Sequence, residues 1–200
     1  MLHRTLAAAA LLAAAPAAFA QGVNTDSRNA PTGVYDVEPT HTSVCFTVVH
    51  LGLSAYPGCF KEISGSIGFD GKDPKNSKAD ITINLGSVWT ASDRLTEKLN
   101  KDLFKTDVNK TANFRSTSVK ITGPNKGMID GTLTLNGVTK PVSLNVTFNG
   151  GLKHPFAGRY AIGFDATATL KRSDFGLTAW STSVGDEVKL TIASELIVQE

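Results

Sequence analysis

The residues of this chain with the clearest chemical potential lie close together in one short segment. Cys45 and Cys59 are the only two cysteines, and His50 lies between them. Thiolate and imidazole groups can bind a metal or carry redox chemistry, and two thiols can instead form a structural disulfide. The chain has no CxxC pair and no HxxxH pair, the usual spacings of zinc ligands. The choice among the three alternatives depends on the compartment and on the local fold.

The N-terminus indicates an exported protein. Arg4 precedes an alanine-rich apolar stretch from Leu6 to Ala18, and an A-x-A motif ends at Ala20. This pattern predicts a signal peptide over residues 1–20, cleaved after Ala20, and therefore a periplasmic location. In an oxidising compartment, two cysteines in one small domain pair more often than they stay free.

The alternation of side chains in this segment favours a disulfide. Phe46 is expected on the buried face of a strand, so Cys45 points to the other face. Phe60 is also expected to be buried, so Cys59 points outward as well. A hairpin turning near Gly52 then brings the two cysteines opposite each other. The prediction is a structural disulfide that stabilises by about 2–4 kcal/mol, with a redox pair and a metal site that includes the histidine as alternatives.

Other signs of catalysis or of nucleic-acid binding are absent from the sequence. It contains no GxSxG elbow and no HExxH helix, and Asp36, Asp70 and Asp174 lie near turn signals. Catalytic groups can nevertheless be assembled from distant positions. The formal net charge is +2, with acidic and basic residues mixed along the chain. This mixture indicates a solvated surface and predicts no nucleic-acid partner.

The elements that must position these residues are mainly β-strands. Apolar and polar residues alternate strictly in five segments: ADITIN, GTLTLNG, PVSLNVTF, IGFDATATLKR and DEVKLTIASELIV. Such alternation is typical of antiparallel strands with one buried face. Asn136-Gly137 predicts a type I′ hairpin between two of them. About eight strands in residues 34–199 predict a single domain, either a closed barrel or a sandwich, after a flexible leader at residues 21–33.

One segment breaks the strand pattern. Leu95, Leu99 and Leu103 are spaced by four residues, which predicts one amphipathic helix over about residues 92–102. Thr90 is its predicted N-cap.

Large apolar side chains share one face of the predicted sheet. They are Phe46, Val48, Phe60, Ile67, Phe69, Ile81, Ile83, Phe114, Leu135, Phe148 and Phe164. A barrel of about eight strands can be filled by such side chains or can hold one ligand. Composition alone leaves both possibilities open.

Three motifs carry a resemblance that runs through nearly the whole mature chain: HLGLS from His50, GTLTLNGVTKPV from Gly131 and KRSDFGL from Lys171. They resemble the YceI-like family of polyisoprenoid-binding, lipocalin-like exported proteins. The resemblance implies an all-β fold, a single-domain extended antiparallel eight-stranded lipocalin-like barrel with one helix near an end. The cysteine pair is not part of the family pattern, so the disulfide depends on the alternation argument.

The resemblance also implies a function. It implies a periplasmic carrier for a long-chain isoprenoid lipid, either a polyprenyl phosphate or an isoprenoid quinone, held by the shared apolar face inside the barrel. It implies no enzyme activity, cofactor or metal. The expected partners are the lipid and, transiently, a membrane or membrane protein; family members can form homodimers. The alternatives are an enzyme of isoprenoid or quinone metabolism on the same barrel, and a ligand-free stress or interaction protein with a packed core.

Two polar residues are candidates for the ligand headgroup. Arg172 follows Leu170 in phase and is predicted to point inward at the mouth, where a guanidinium could bind phosphate bidentately. The alternatives for Arg172 are a surface position or an ion pair with Asp174, and Lys171 and Lys140 are weaker candidates.

His50 ends the first long strand in phase with Phe46 and Val48, so its ring is predicted inside the barrel near one end. There it could bond a quinone or serve a structural role by bonding nearby backbone. It is also the one candidate for the enzyme alternative, which would require a carboxylate beside it.

Overall fold

The computed structural model describes residues 22–200, so the predicted signal peptide and its cleavage site lie outside the described residues. These residues form eleven strands: β1 (Gly33–Val37), β2 (Ser43–His50), β3 (Ser54–Phe60), β4 (Ile63–Phe69), β5 (Lys78–Asn84), β6 (Val88–Trp89), β7 (Thr111–Gly123), β8 (Lys126–Leu135), β9 (Val138–Lys153), β10 (Tyr160–Lys171) and β11 (Val184–Val198). One helix, α1 (Asp93–Lys98), continues as a π-helical segment (Leu99–Phe104). Within the described residues, no helix is long and apolar enough to cross a membrane.

Eight strands close into an antiparallel barrel. Their order is β1-β4-β5-β7-β8-β9-β10-β11, and the pairing of β11 with β1 completes the ring. The strands β2, β3 and β6 extend the wall, because β2 pairs with the first part of β11 and β3 pairs with β2. Residues 196–198 of β11 pair with β1, so β1 and β2 lie one after the other along the same edge of β11. The predicted eight-stranded barrel is confirmed.

The barrel has two ends that differ in their connections. The end we call the hairpin end carries the β2–β3 turn (51–53), the β8–β9 turn (136–137), the helix and the segment 172–183. The other, which we call the leader end, carries the loop 70–77, the β7–β8 turn (124–125) and the residues before β1. Antiparallel neighbours turn at alternate ends, which places these connections in two groups.

Two tight turns at the hairpin end use the left-handed backbone region. Asn136 and Gly137 have φ of 53° and 74°, which confirms the predicted type I′ hairpin. Leu51 and Gly52 have φ of 53° and 71°, and the N–H of Leu53 donates to the carbonyl of His50 at 2.9 Å. The second turn lies at the predicted Gly52 and joins β2 to β3.

Inward side chains form two buried clusters along the barrel. The cluster near the leader end contains Phe69 and Phe148, whose rings stack with centroids 6.1 Å apart. Tyr35 is fully buried beside them, and its hydroxyl donates to the carbonyl of Pro31 at 2.7 Å. The burial raises the pKa of Tyr35 to about 12. The larger cluster extends from the middle of the barrel to the hairpin end, where Phe104 of the π-helical segment packs on the barrel.

The leader segment lies against one end of the barrel. The N–H of Asn24 donates to the carbonyl of Gly151 at 2.8 Å, and the N–H of Gly151 returns a bond to Asn24 at 2.9 Å. Ala30 is buried in the adjacent cluster. The flexibility predicted for residues 21–33 stays a prediction, but residues 22–33 make the contacts of a packed segment.

The helix covers most of its predicted range and ends slightly later. Its N-cap is Ser92, whose side chain accepts from the N–H of Leu95 at 3.3 Å, so the prediction of Thr90 as the N-cap is wrong. Thr90 is buried, and its hydroxyl donates to the carbonyl of Ser92 at 3.0 Å. It therefore positions the residue that caps the helix.

Candidate ligand cavity

The barrel encloses two cavities that adjoin at its middle. Their volumes are about 430 Å³ at the hairpin end and about 230 Å³ at the leader end. Four residues line both, namely Val44, Ile83, Leu133 and Leu190. The described interior thus holds two adjoining cavities, one toward each end of the barrel.

All the residues predicted to bind the ligand lie in the walls of these cavities. The leader-end cavity is lined by Ile67, Phe69, Ile81, Ile83, Phe114, Phe148 and Phe164. The hairpin-end cavity is lined by Phe46, Val48, His50, Phe60, Ile83, Leu135 and Arg172. Alternation along the strands brings them together, because residues two apart share a face. That these residues bind a lipid stays a prediction.

Small residues keep the middle of the barrel open. Ala166 lines the leader-end cavity where β10 pairs with Val146 and Ile192 on its two neighbours. Ala112 lines the hairpin-end cavity at the start of β7. Gly58 lies directly across from Phe46, and a Cβ at this glycine would overlap the Phe46 ring. The far end of the ring thus occupies the place over the backbone of β3 that a side chain at position 58 would take.

The cavity walls are mainly apolar, and their polar residues include hydroxyl groups such as those of Thr42 and Ser194. Lys78, Asn125 and Lys126 line the leader-end cavity, while Tyr56 and Lys98 line the hairpin-end cavity. No aspartate or glutamate of the described residues lines either cavity. The interior can therefore hold an apolar chain but offers no carboxylate as a general base.

Arg172 points inward as predicted, but its guanidinium is engaged by backbone. It is 7% exposed, so the surface alternative is wrong. Its Nε donates to Gly185 at 2.9 Å, Nη2 donates to Val184 at 2.9 Å, and Nη1 donates to Leu177 and to Ala179.

These bonds leave one of the five N–H groups of Arg172 unassigned. The bidentate phosphate contact predicted for Arg172 has no free pair of donors in this structure. None of the ion pairs among the described residues joins Arg172 to Asp174, so the alternative ion pair is not formed.

His50 lies at the rim of the hairpin-end cavity. It lines the cavity near one end of the barrel, as predicted, but the residue is exposed, so it lies at the open mouth and not deep in the interior. The last two residues of β2 are both exposed, unlike the partly buried residues before them. Among residues 22–200, no cluster of three or more His, Cys, Asp or Glu residues could hold a metal ion.

The cysteine pair forms the predicted disulfide. Cys45 and Cys59 are direct cross-strand partners on β2 and β3, and their sulfur atoms are bonded. Neither residue lines a cavity. The bond ties the outer side of the hairpin, so the thiols are not available to a metal.

Strongly shifted carboxyl groups lie outside the cavities. Burial alone would raise the pKa of Glu38, but hydrogen bonds from Thr40 and His41 together lower it to about 2. On the outer face, hydrogen bonds from Ser143, Lys120 and Ser118 lower the pKa of Asp130 to about 2. These carboxylates are bonded to neighbouring strands and turns, as expected of structural groups rather than catalytic ones.

Residues 35–196 match the family model described as a YceI-like domain. The chain belongs to the YceI-like family. It is 40% identical over 165 residues to a UPF0312 protein of Ectopseudomonas mendocina, covering 82% of this chain and 86% of that protein. A UPF0312 protein of Pseudomonas paraeruginosa is 38% identical over the full length of both chains.

Solved structures agree with this YceI-like assignment. The Campylobacter jejuni YceI protein is 31% identical with a TM-score of 0.68, covering 76% of this chain and 90% of that one. A polyisoprenoid-binding domain of Saccharophagus degradans, implicated in plant cell wall breakdown, is 18% identical with a TM-score of 0.61. It covers 82% of this chain and 98% of its own, and at this identity it shows the fold alone.

The YceI-like barrel has cavity residues that the strand patterns did not indicate. Leu95, Leu99 and Leu103 of the helical region line the hairpin-end cavity, as does Trp180 of the segment before β11. The leucines could have been found from their four-residue spacing, which marks one helix face. Trp180 lies in a loop, and no periodic pattern pointed to it.

Proposed function

We propose that this YceI-like protein is a periplasmic carrier that holds a long-chain isoprenoid lipid in its barrel. The lipid would be a polyprenyl phosphate or an isoprenoid quinone. The observation that carries the proposal is the apolar interior, whose two adjoining cavities lie one toward each end of the barrel. The ligand class is supported by the polyisoprenoid-binding neighbour of the same fold.

The physical basis is the burial of an extended apolar chain. Removing apolar surface from water contributes about 25 cal/mol per Å², before the cost of ordering the ligand. The hairpin-end cavity, at about 430 Å³, is within the usual range of ligand pockets, and the adjoining cavity extends it. A long, narrow space fits a flexible linear chain better than a compact ring system.

A binding role fits the chemistry of the cavity walls better than catalysis does. The lining residues are overwhelmingly apolar and include no carboxylate among the described residues. His50 lies at the rim, and none of the ion pairs of the described residues pairs it with an acidic side chain. We propose that the lipid is bound cargo and that the protein uses no cofactor.

The periplasmic location is supported by two observations. The N-terminal sequence has the features of a cleaved signal peptide. The Cys45–Cys59 disulfide is of the kind that persists in oxidising compartments.

Native mass spectrometry of the mature protein from the periplasm tests the proposal. We expect a bound mass that organic extraction identifies as a polyprenyl lipid or a quinone. Ala166→Trp places a large ring in the lumen and should abolish binding of that mass. Ala193→Trp is the matched control, because Ala193 is exposed on the neighbouring strand β11.

The same experiment can contradict the proposal. A wild-type protein that carries no lipid and takes up neither added quinone nor polyprenyl phosphate would overturn it and favour the packed-core alternative. Undiminished binding by folded Ala166→Trp would place the ligand outside the barrel. If Ala166→Trp does not fold, Ala166→Leu is the milder variant, and it should reduce the amount of bound lipid.

A further inference from the structure

The tip of the β2–β3 hairpin exposes two leucines. Leu53 is 83% exposed and Leu51 is 56% exposed, and they flank Gly52 at the centre of the turn. Val49, just before the turn, is half-exposed. Exposed leucines scattered singly are ordinary on protein surfaces, but two in the same turn form a small apolar patch.

The tip is fixed beside the mouth of the larger cavity. The N–H of Leu51 donates to the carbonyl of Ser183 at 2.7 Å. Ser183 lines the hairpin-end cavity, as does His50, which directly precedes the tip. The two exposed leucines therefore lie directly beside residues that line the mouth of the hairpin-end cavity.

We propose that the Leu51–Leu53 tip inserts into a lipid membrane surface and brings the hairpin-end mouth against the bilayer. The inference rests on the proposed function, because a prenyl lipid would then enter the barrel without crossing bulk water. A lipid surface is the occupant that matches a small apolar tip next to the mouth of an apolar cavity. Side chains of this kind bury into the boundary between headgroups and acyl chains.

Charges around the mouth indicate that the contact is mainly apolar. Lys98 lines the hairpin-end cavity, but the first turn of the adjacent helix contains Asp93, and Glu97 precedes the lysine. Mixed charges give little net attraction to anionic lipids. Membrane binding should therefore depend only weakly on salt.

The opposite end provides a matched control. Phe156 is 92% exposed in the loop between β9 and β10, at the leader end. It does not line the leader-end cavity. Phe156 is a large apolar residue and is more exposed than either leucine, but it does not lie beside residues that line a cavity mouth.

Vesicle flotation of the mature, disulfide-bonded protein tests the inference. The vesicles contain phosphatidylethanolamine and phosphatidylglycerol in equal amounts and no prenyl lipid. The test variant is Leu51→Asn combined with Leu53→Ser, since asparagine tolerates the positive φ of position 51. We expect the wild type to float and the variant to bind vesicles on the order of tenfold or more less tightly.

The Phe156→Ser variant should float like the wild type, also at raised salt. If Phe156→Ser loses vesicle binding while the leucine variant keeps it, the leader end is the docking surface and the inference is wrong. The inference that the leucines insert into the membrane is also wrong if the wild-type protein does not float, or if it floats only at low salt.

Uptake of an isoprenoid quinone separates this inference from the proposed function. The wild type should take up the quinone both from detergent micelles and from vesicles. The leucine variant should take it up from micelles as the wild type does but lose uptake from vesicles. Polyprenyl phosphate in micelles is the parallel ligand. Failure of the wild type to take up either lipid from micelles contradicts the lipid-carrier function, whereas normal extraction of quinone from vesicles by the leucine variant contradicts only the docking surface.

Discussion

At the scale of single residues, Arg172 shows how a buried cation can serve structure. Its four hydrogen bonds reach carbonyls between Leu177 and Gly185, which hold the segment before β11 against the hairpin end of the barrel. Hydrogen bonds to a charged donor are stronger than neutral ones, and each buried carbonyl left unpaired costs free energy. Arg172 is therefore a clamp for the loop that contains Trp180.

Removing this clamp should destabilise the fold. We expect Arg172→Met to lower the free energy of unfolding by about 2–5 kcal/mol, because one buried and three partly buried carbonyls lose their donor at once. Urea unfolding measures the change, with Lys189→Met as a control at an exposed lysine on β11. A variant of unchanged stability that no longer binds polyprenyl phosphate would instead restore the headgroup role to Arg172.

The inward direction of Arg172 could be predicted from the sequence, but its partners could not. Residues two apart on a strand point to the same face, so the inward Leu170 was enough to predict that Arg172 points inward. Its acceptors are carbonyls 5–13 residues further along the chain, in the irregular segment before β11 and at the first two residues of β11. His50 shows the same limit, because phase says nothing about where the wall of the barrel ends.

At the scale of elements, the strands and tight turns were the most predictable parts. Alternation and Asn-Gly turn chemistry are local properties, and the structure confirms the hairpin at Asn136 and the cysteine pair across β2 and β3. The sequence patterns did not predict that the first long strand is divided into β1 and β2, or that the second is divided into β3 and β4. The breaks lie at residues 38–42 and 61–62, and they separate segments that pair with different distant strands or with different parts of β11.

The disulfide should stabilise the β2–β3 hairpin without shaping the cavity. Replacing both cysteines by serine should lower the free energy of unfolding by about 2–4 kcal/mol, because the bond no longer restricts the unfolded chain. The sequence separation of the pair is 14 residues. Denaturant unfolding with and without reductant measures the change.

Lipid uptake by the folded double-serine variant should equal that of the wild type, since neither cysteine lines a cavity. Reduced wild-type protein is the matched control and should behave like the double variant. Equal unfolding midpoints for the oxidised and reduced forms would show that the disulfide has no stabilising role.

At the scale of the whole molecule, closure of the barrel was predictable and its open interior was not. Many alternating strands in one domain left only a few architectures, whereas an empty lumen depends on which side chains meet across it. Ala166 leaves space that a larger residue would fill. The composition of the apolar face is the same for a filled barrel and an open one, so the sequence patterns could not choose between them.

Carboxylates outside the cavities bond to neighbouring strands and to a nearby turn. Asp130 of β8 accepts from Ser143 of β9 at 2.6 Å and from Ser118 and Lys120 of β7 at 3.1 Å and 2.9 Å. Glu38 accepts from the backbone and side chain of both Thr40 and His41 in the bend between β1 and β2. These bonds favour the charged form of each carboxyl in the folded state.

The barrel should therefore lose stability in acid. The folded pKa values of Glu38 and Asp130 are about 2, below their ordinary values of 4.5 and 3.8, so their stabilisation is present above those ordinary values. It is lost as pH falls through the folded pKa, because the unfolded chain binds protons first. We expect the melting temperature to fall between pH 4.5 and about 2, and less steeply in Asp130→Asn.

Asp107→Asn, in an exposed turn, is the control and should keep the wild-type slope. An identical slope in the wild type and Asp130→Asn would show that this carboxylate does not couple folding to protonation.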